Sequence, residues 1–128
     1  MRAEATVEDY YEALRRGEPL EPYFAERPDV VKFGVGERLV GYDAVAEGLR
    51  DQTRTTDDWT VESHDLRVTE RERHAYFSDT VFMSWTDREA GEFAFETRWS
   101  GTLEPTDDGE ETTWLFVGMH VSTPYVGR

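Results

Sequence analysis

The sequence predicts an α+β domain in which three N-terminal helices pack on one face of a curved antiparallel sheet. Two observations predict this class. In the first half of the chain apolar residues recur at helical spacing, whereas from Trp59 onward they alternate with a period of two and Val, Thr, Phe and Trp become frequent. The length of 128 residues suits one ordinary domain, so we expect residues 1–128 to form a single one.

The three predicted helices follow from periodicity and from helix-ending residues. In the first, Thr6 and Asp9 resemble a capping box, apolar residues recur up to Leu14, and Gly17 closes the segment. The stretch PLEPYFAER has prolines suited to a first helical turn, and it predicts a short second helix that ends before Pro28. After the short extended stretch VVKFGVG, the segment YDAVAEGLRDQ places its apolar residues on one face and predicts the third helix.

Four long strands are predicted over residues 59–69, 74–86, 92–104 and 112–123, separated by the turn signals ERER, DREAG and PTDDGEE. In the last strand, strict alternation places His120 on the face that carries Trp114 and Phe116. The opposite face is apolar as well, and the helices of one chain cover only one face of the sheet. We therefore expect a homodimer that forms through an outer sheet face including Leu115, Val117 and Met119.

Composition and charge exclude several classes of function. The formal net charge of −14 is spread along the chain without a basic patch, which argues against a nucleic-acid partner. No run of apolar residues is long enough for a membrane span, and the N-terminus lacks the apolar centre of a signal peptide, so we expect a cytoplasmic protein. Without cysteine, and with three histidines far apart, neither a metal site nor a cofactor is expected.

The same composition favours a salt-rich habitat. Lys32 is the only lysine beside a large excess of carboxylates, and screening by salt removes the repulsion that such an excess creates. Residues encoded by AT-rich codons are scarce, since Ile and Asn are absent and Gln52 is the only glutamine. These features predict an extreme halophile, a halophilic archaeon, and they make the acidity a sign of habitat rather than of ligand.

Four segments, in this order, resemble the SnoaL-like members of the NTF2-like superfamily over nearly the whole chain. They are YYEALRRGE, FGVGERLVGYDAVAEGLR, ETRWSGTL and WLFVGMHVS. The resemblance implies a cone-shaped, cystatin-like fold, in which a bent antiparallel sheet wraps around the helices and leaves a pocket at its wide end. It also implies that the outer face of the sheet is a common dimer surface.

Arg98 and His120 are the leading candidates for a polar site. Alternation places Arg98 and Ser100 on one face of their strand, and if that face looks into the cone, Arg98 and His120 line the cavity together. Both positions resemble Arg and His positions of several SnoaL-like sequences and of the superfamily's kinase association domains. Arg98 could instead pair with Glu96 or Asp79, and a lone histidine in an apolar strand is often a structural residue.

An acid and two tyrosines complete the candidate site. Asp79 interrupts an apolar strand, where it would serve as a base or would face solvent. Tyr10 precedes Gly17 by seven residues, a spacing similar to that of the oxyanion-binding tyrosine in the family's steroid isomerases, and only one of Tyr10 and Tyr11 is expected to point fully inward. The catalytic candidates are therefore His120, Asp79 and Tyr10, and the ligand-binding candidates are Arg98, Trp114, Tyr11, Ser100 and Phe116.

Three functions remain open at this point. The first is the binding of a small, partly apolar molecule, either neutral or anionic, in the cone. The second is a cofactor-free acid–base enzyme, namely an isomerase, cyclase, dehydratase or hydrolase, and the third is a homodimeric assembly module. Isomerisation of the steroid type is not expected, because VVKFGVG lacks the acid that would be its base and the second acid position falls near Ser100 or Gly101.

Overall fold

The computed structural model describes residues 2–108 and 111–124, and it confirms an α+β fold in which a curved sheet packs around helices. The elements follow one another as α1 (Ala3–Arg16), β1 (Val31–Gly34), β2 (Glu37–Val40), α2 (Tyr42–Thr55), β3 (Thr56–Ser63), β4 (Arg67–Glu70), β5 (Ala75–Asp87), β6 (Gly91–Asp108) and β7 (Glu111–Ser122). The sheet order is β2-β1-β7-β6-β5-β3, with β4 also paired to β5.

Helix α1 fills the inside of the curved sheet. Its buried face includes both Tyr10 and Tyr11, each 2% exposed, so the expectation that only one of them points inward is wrong. The sheet wraps around the helix and therefore offers packing surface to both rings. The predicted capping box is wrong as well, because the helix begins at Ala3 and Thr6 donates instead to the carbonyl of Trp114. Gly17 ends the helix in the left-handed conformation, as predicted.

The described residues contain two α-helices rather than the predicted three. The stretch predicted as a second helix forms one 3₁₀ turn, Glu21–Tyr23, and then extends. Phe24 lies beside Phe116 in a parallel bridge, and the Ala25 N–H donates to the Phe116 carbonyl at 3.0 Å. The backbone groups that would form the hydrogen bonds of a longer helix therefore pair with the sheet instead.

The sheet differs from the predicted four strands at both ends. The predicted strand 59–69 is divided into β3 and β4 by a bend at residues 64–66, and VVKFGVG opens a hairpin, β1–β2, whose second strand was not predicted. Strand β1 lies parallel to β7. Strand β6 runs on to Asp108, so the first residues of the predicted turn PTDDGEE are strand, and residues 109 and 110 of that turn lie outside the described residues.

A register shift between β6 and β7 decides which side chains face the core. Phe116 pairs with Leu103, but Gly118 pairs with Thr102, so β7 carries one extra residue at this β-bulge. Before the bulge the even-numbered residues of β7 are buried, and after it the odd-numbered ones are. Strict alternation is therefore wrong for β7, and the switch turns His120 outward.

The bulge also corrects the predicted outer face. Met119 is 3% exposed and belongs to the core instead of the outer surface, whereas Leu115 and Val117 are half-buried. Among the residues described, neither α-helix has the length and the apolar content that crossing a membrane requires.

Candidate functional site

A cavity of about 480 Å³ opens between the two helices, the β1–β2 hairpin and the inner faces of β3, β5 and β6. This volume lies in the range of small-molecule sites, which is roughly 300–1,000 Å³. Helix α1 contributes Tyr10 and Leu14, and the C-terminal half of α2 contributes Asp51, Gln52 and Thr55. The fold thus leaves space where the sheet continues beyond the packed part of the cone.

One side of the cavity is an aromatic wall formed by Trp59, Trp85, Phe93 and Phe95. The rings of Trp59 and Trp85 are stacked with their centroids 4.7 Å apart, and Trp85 lies 5.5 Å from Phe93 and 5.7 Å from Phe95. All four side chains are only half-buried. Their remaining exposed surface gives the cavity an apolar wall against which a flat ring can pack.

The opposite side is a polar end formed by Lys32, Glu37 and Tyr10. Lys32 is only 5% exposed, and its Nζ donates to Glu37 Oε1 at 2.5 Å. The hairpin makes this pair possible because Gly34 has no side chain: a Cβ at that position would lie 2.5 Å from Glu37 Oε1. The carboxylate therefore crosses over Gly34 to reach the ammonium group.

Tyr10 remains a neutral hydrogen-bond donor at this end of the cavity. Burial first, and then the negative charge of Glu37, raise the pKa of its hydroxyl far above the ordinary value. The ring is held by edge contacts with Tyr23, Phe24, Trp99 and Phe116. A fixed phenol beside a carboxylate and an ammonium group can donate a hydrogen bond to a ligand oxygen.

The Asp79 carboxylate ties the other side of α1 to the sheet. It accepts hydrogen bonds from the Tyr11 hydroxyl at 2.9 Å, the Ser63 hydroxyl at 2.6 Å and the Asp65 N–H at 2.9 Å. Asp79 faces inward and is 4% exposed, so the alternative of a solvent-facing aspartate does not hold. Neither Asp79 nor Tyr11 is among the described residues that line the cavity.

Arg98, Ser100 and His120 lie on the outer face of the sheet, so the expectation that Arg98 and His120 line the cavity together is wrong. All three are exposed, whereas the alternating neighbours Trp99 and Val121 are buried. The imidazole of His120 packs on the exposed ring of Phe33 instead, with centroids 5.4 Å apart.

Arg98 has neither of its predicted acidic partners in the described part of the chain. Asp79 points to the opposite face of the sheet, and Arg98 Nη2 makes only a long hydrogen bond of 3.5 Å to the Thr123 carbonyl. An exposed guanidinium needs no buried counter-charge, because water solvates it.

Trp114 and Phe116 face inward but belong to the packed core, where they are 4% and 0% exposed. Of the eight predicted site residues, Tyr10 is the one that lines the cavity in the described structure. Sequence reasoning missed the aromatic wall and the Lys32–Glu37 pair. The signals were present: Lys32 is the only lysine and interrupts an apolar strand, and Glu37 follows the stretch VVKFGVG immediately after Gly36.

Within residues 2–108 and 111–124, no three histidine or acidic side chains come together in a way that could hold a metal ion. Asp87 lines the cavity, and its carboxylate is hydrogen-bonded within the turn that follows it. It accepts the N–H groups of Ala90 and Glu89, and these bonds hold the pKa of its carboxyl below the usual value. Asp87 therefore keeps its negative charge.

Comparison with known proteins agrees with the fold. No curated protein matches the sequence. The structure is similar to an NTF2-like superfamily protein from Salmonella enterica (TM-score 0.78, 17% identity, 96% of this chain and 89% of that chain covered) and to a candidate dehydratase of the NTF2-like family from Streptomyces avermitilis (0.79, 17%, 96% and 94%). It also resembles a ketosteroid isomerase-like protein from Erwinia carotovora (0.73, 19%, 95% and 93%).

Identities this low show a common fold and nothing about a reaction. The sequence itself is more informative, because residues 3–126 match the profile of the SnoaL-like domain. That match covers nearly the whole chain and agrees with the segments that suggested the family. The chain therefore belongs to the family of SnoaL-like domains, with an NTF2-like fold.

Proposed function

We propose that this protein binds a small, flat and uncharged molecule carrying a carbonyl or hydroxyl oxygen. The observation that carries the proposal is the cavity itself, in which an aromatic wall faces a polar end across about 480 Å³. A planar ring gains aromatic contact and apolar burial against Trp85 and Phe95, and an oxygen at the other end of the molecule meets donors on Tyr10 and Lys32.

Charge favours a neutral ligand over the anionic one that Arg98 suggested. Lys32 is the only basic residue among the described lining residues, and its charge is already offset by Glu37. Asp51 and Asp87 also line the cavity. Asp87 stays ionised because two backbone N–H groups donate to its carboxylate and lower its pKa. An anion would lose its hydration to enter a cavity whose charges sum to a negative value, which is unfavourable.

The Trp85→Ala variant is expected to weaken the binding of 2-naphthol, a neutral planar probe, by about tenfold, since a lost aromatic contact of about 1.4 kcal/mol corresponds to that factor. Quenching of tryptophan fluorescence measures the affinity. Val40→Ala is the control, because Val40 is an exposed apolar residue that neither lines the cavity nor belongs to the proposed dimer contact. Equal affinities for the wild type and the Trp85 variant, or an equal loss in both variants, would contradict the proposal.

A second candidate function is acid–base catalysis without a cofactor. One observation favours it: the Glu37 carboxylate and the Tyr10 hydroxyl belong to the same end of the cavity, where burial first, and then the charge of Glu37, raise the pKa of the phenol. A ligand carbonyl there could accept a hydrogen bond from Tyr10 while Glu37 removes a proton from the adjacent carbon. The structural relatives described as a candidate dehydratase and as ketosteroid isomerase-like suit this class of reaction.

Self-association through the outer face of the sheet is part of the proposal. Exposed Tyr76 and Phe33, together with half-buried Leu115 and Val117, supply apolar area on that face. Light scattering is done in molar salt because of the acidity and the halophilic habitat we propose. We expect the mass of two chains for the wild type and of one chain for Tyr76→Asp, because the substitution would bury a charge at the contact. A wild-type mass near that of one chain would refute the dimer.

A further inference from the structure

Lys32 is chemically unusual for its place in this chain. It is one of 14 basic residues, and the other 13 are arginine. It is also 5% exposed and lines the cavity, whereas lysine is almost never so deeply buried unless it is paired. The one amine side chain of the sequence is thus placed where a bound ligand would meet it.

An ion pair alone does not explain the choice of lysine. Arginine binds a carboxylate through two parallel hydrogen bonds and is the better residue for a buried pair, and this chain uses arginine at every other basic position. Lysine differs from arginine in one respect that matters in a cavity: its ammonium group can give up a proton and become a nucleophile.

We propose that Lys32 is a reactive amine that condenses with the carbonyl group of an aldehyde or ketone bound in the cavity, an inference that rests on the proposed function. The Lys32 ammonium gives a proton to the Glu37 carboxylate, and the free amine attacks the carbonyl carbon. A C–N bond forms while the C=O π bond breaks, and one nitrogen-bound proton passes to the oxygen. Glu37 then protonates the hydroxyl, which leaves as water. The products are an iminium ion and one water, and Glu37 is ionised again.

The geometry provides each part of this step. Nζ and Glu37 Oε1 are 2.5 Å apart, which is within proton-transfer distance. Tyr10 is a neutral donor at the same end of the cavity, so it can polarise the carbonyl oxygen. The aromatic wall offers a flat carbonyl compound an apolar surface on the side of the cavity opposite the amine.

Reductive trapping tests the inference directly. The protein is incubated with benzaldehyde and cyanoborohydride, which converts an iminium ion into a stable benzylamine, and the gain of one benzyl group is followed by intact mass and peptide mapping. Lys32 and the N-terminal amine are the only primary amines in the sequence, so assignment is unambiguous. Lys32→Arg keeps the positive charge and reports the N-terminal background. Adding Arg38→Lys to that variant places an exposed lysine on the same hairpin as a matched reference.

Lys32 is expected to be trapped at least about tenfold faster than the reference lysine, a modest share of the 10²–10⁴ that a positioned proton donor contributes. Glu37→Gln removes the proton carrier and is expected to abolish most of that advantage. Gly34→Ala should act in the same direction without unfolding the protein, because the three atoms nearest to the added Cβ are Oε1, Cγ and Cδ of the Glu37 side chain, which can rotate away, and none is a backbone atom.

The outcomes separate the inference from the proposed function. If Lys32 is trapped no faster than the reference lysine while 2-naphthol still quenches tryptophan fluorescence, the reactive amine is refuted and the binding function stands. An advantage that survives both Glu37→Gln and Gly34→Ala refutes the role of Glu37. If neither trapping nor quenching occurs, the cavity is not a ligand site and both proposals fail.

Discussion

The Asp79→Ala variant is expected to lose about 3 kcal/mol of unfolding free energy, because a buried donor that loses its acceptor costs roughly 1–3 kcal/mol and the partly buried donors add to that loss. Three donors converge on this carboxylate, from Tyr11 on α1, Ser63 at the end of β3 and the Asp65 N–H in the bend that follows. Leaving the Tyr11 hydroxyl without an acceptor is the most costly of the three losses, because its ring is 2% exposed and water has little access to it. Urea unfolding measures the loss.

Two companion variants sharpen this test. Tyr11→Phe removes one donor and keeps the ring, so a loss of about 1 kcal/mol is expected. Ser78→Ala changes an exposed neighbour on the same strand and should stay within about 0.5 kcal/mol of the wild type. A stable Asp79→Ala protein that no longer binds 2-naphthol would reverse the assignment and return Asp79 to the ligand site.

The Gly101→Ala variant is expected to lose about 3 kcal/mol of stability, at the upper end of the usual cost of overpacking. Gly101 pairs with Met119 next to the β-bulge, and a Cβ there would clash with the Gly118 carbonyl oxygen and come within 2.8 Å of the Phe77 ring. Backbone atoms cannot rotate away as a side chain can, so β6 and β7 would have to separate. Thermal and urea unfolding both report the change.

Gly118→Ala is the matched control for the bulge. A Cβ at this position meets nothing within 4 Å, so the variant should be as stable as the wild type, or slightly more stable because alanine loses less entropy on folding. Equal stability of the two alanine variants would contradict the account of how the bulge is packed.

The sequence was a good guide where a repeating pattern matches a regular element. The helical spacing from Val7 to Leu14 and the stop at Gly17 predicted most of α1, and the period of two predicted β5 and β6. It failed where tertiary contacts override local preference: residues 24 and 25 pair with the sheet instead of continuing a helix. One extra residue in β7 inverts every later side chain, and alternation alone cannot reveal it.

That inversion explains most of the difference between the predicted and the observed site. With strict alternation, His120 would share the inner face with Phe116, and the bulge sends it outside. Tyr10 was found because α1 has no such irregularity. Lys32 and Glu37 meet only through the β1–β2 hairpin, whose second strand was not predicted, so their contact could not be foreseen from residues five positions apart.

A crystal structure of the protein soaked with 2-naphthol tests the central claim most directly, because it distinguishes the inside of the cone from the outer face of the sheet. We expect density for a planar ring in the cavity, against Trp85 and Phe95, with the hydroxyl oxygen within hydrogen-bond distance of Tyr10 or Lys32. An empty cavity together with a ring stacked on the outer face, beside His120 and Phe33, would contradict it.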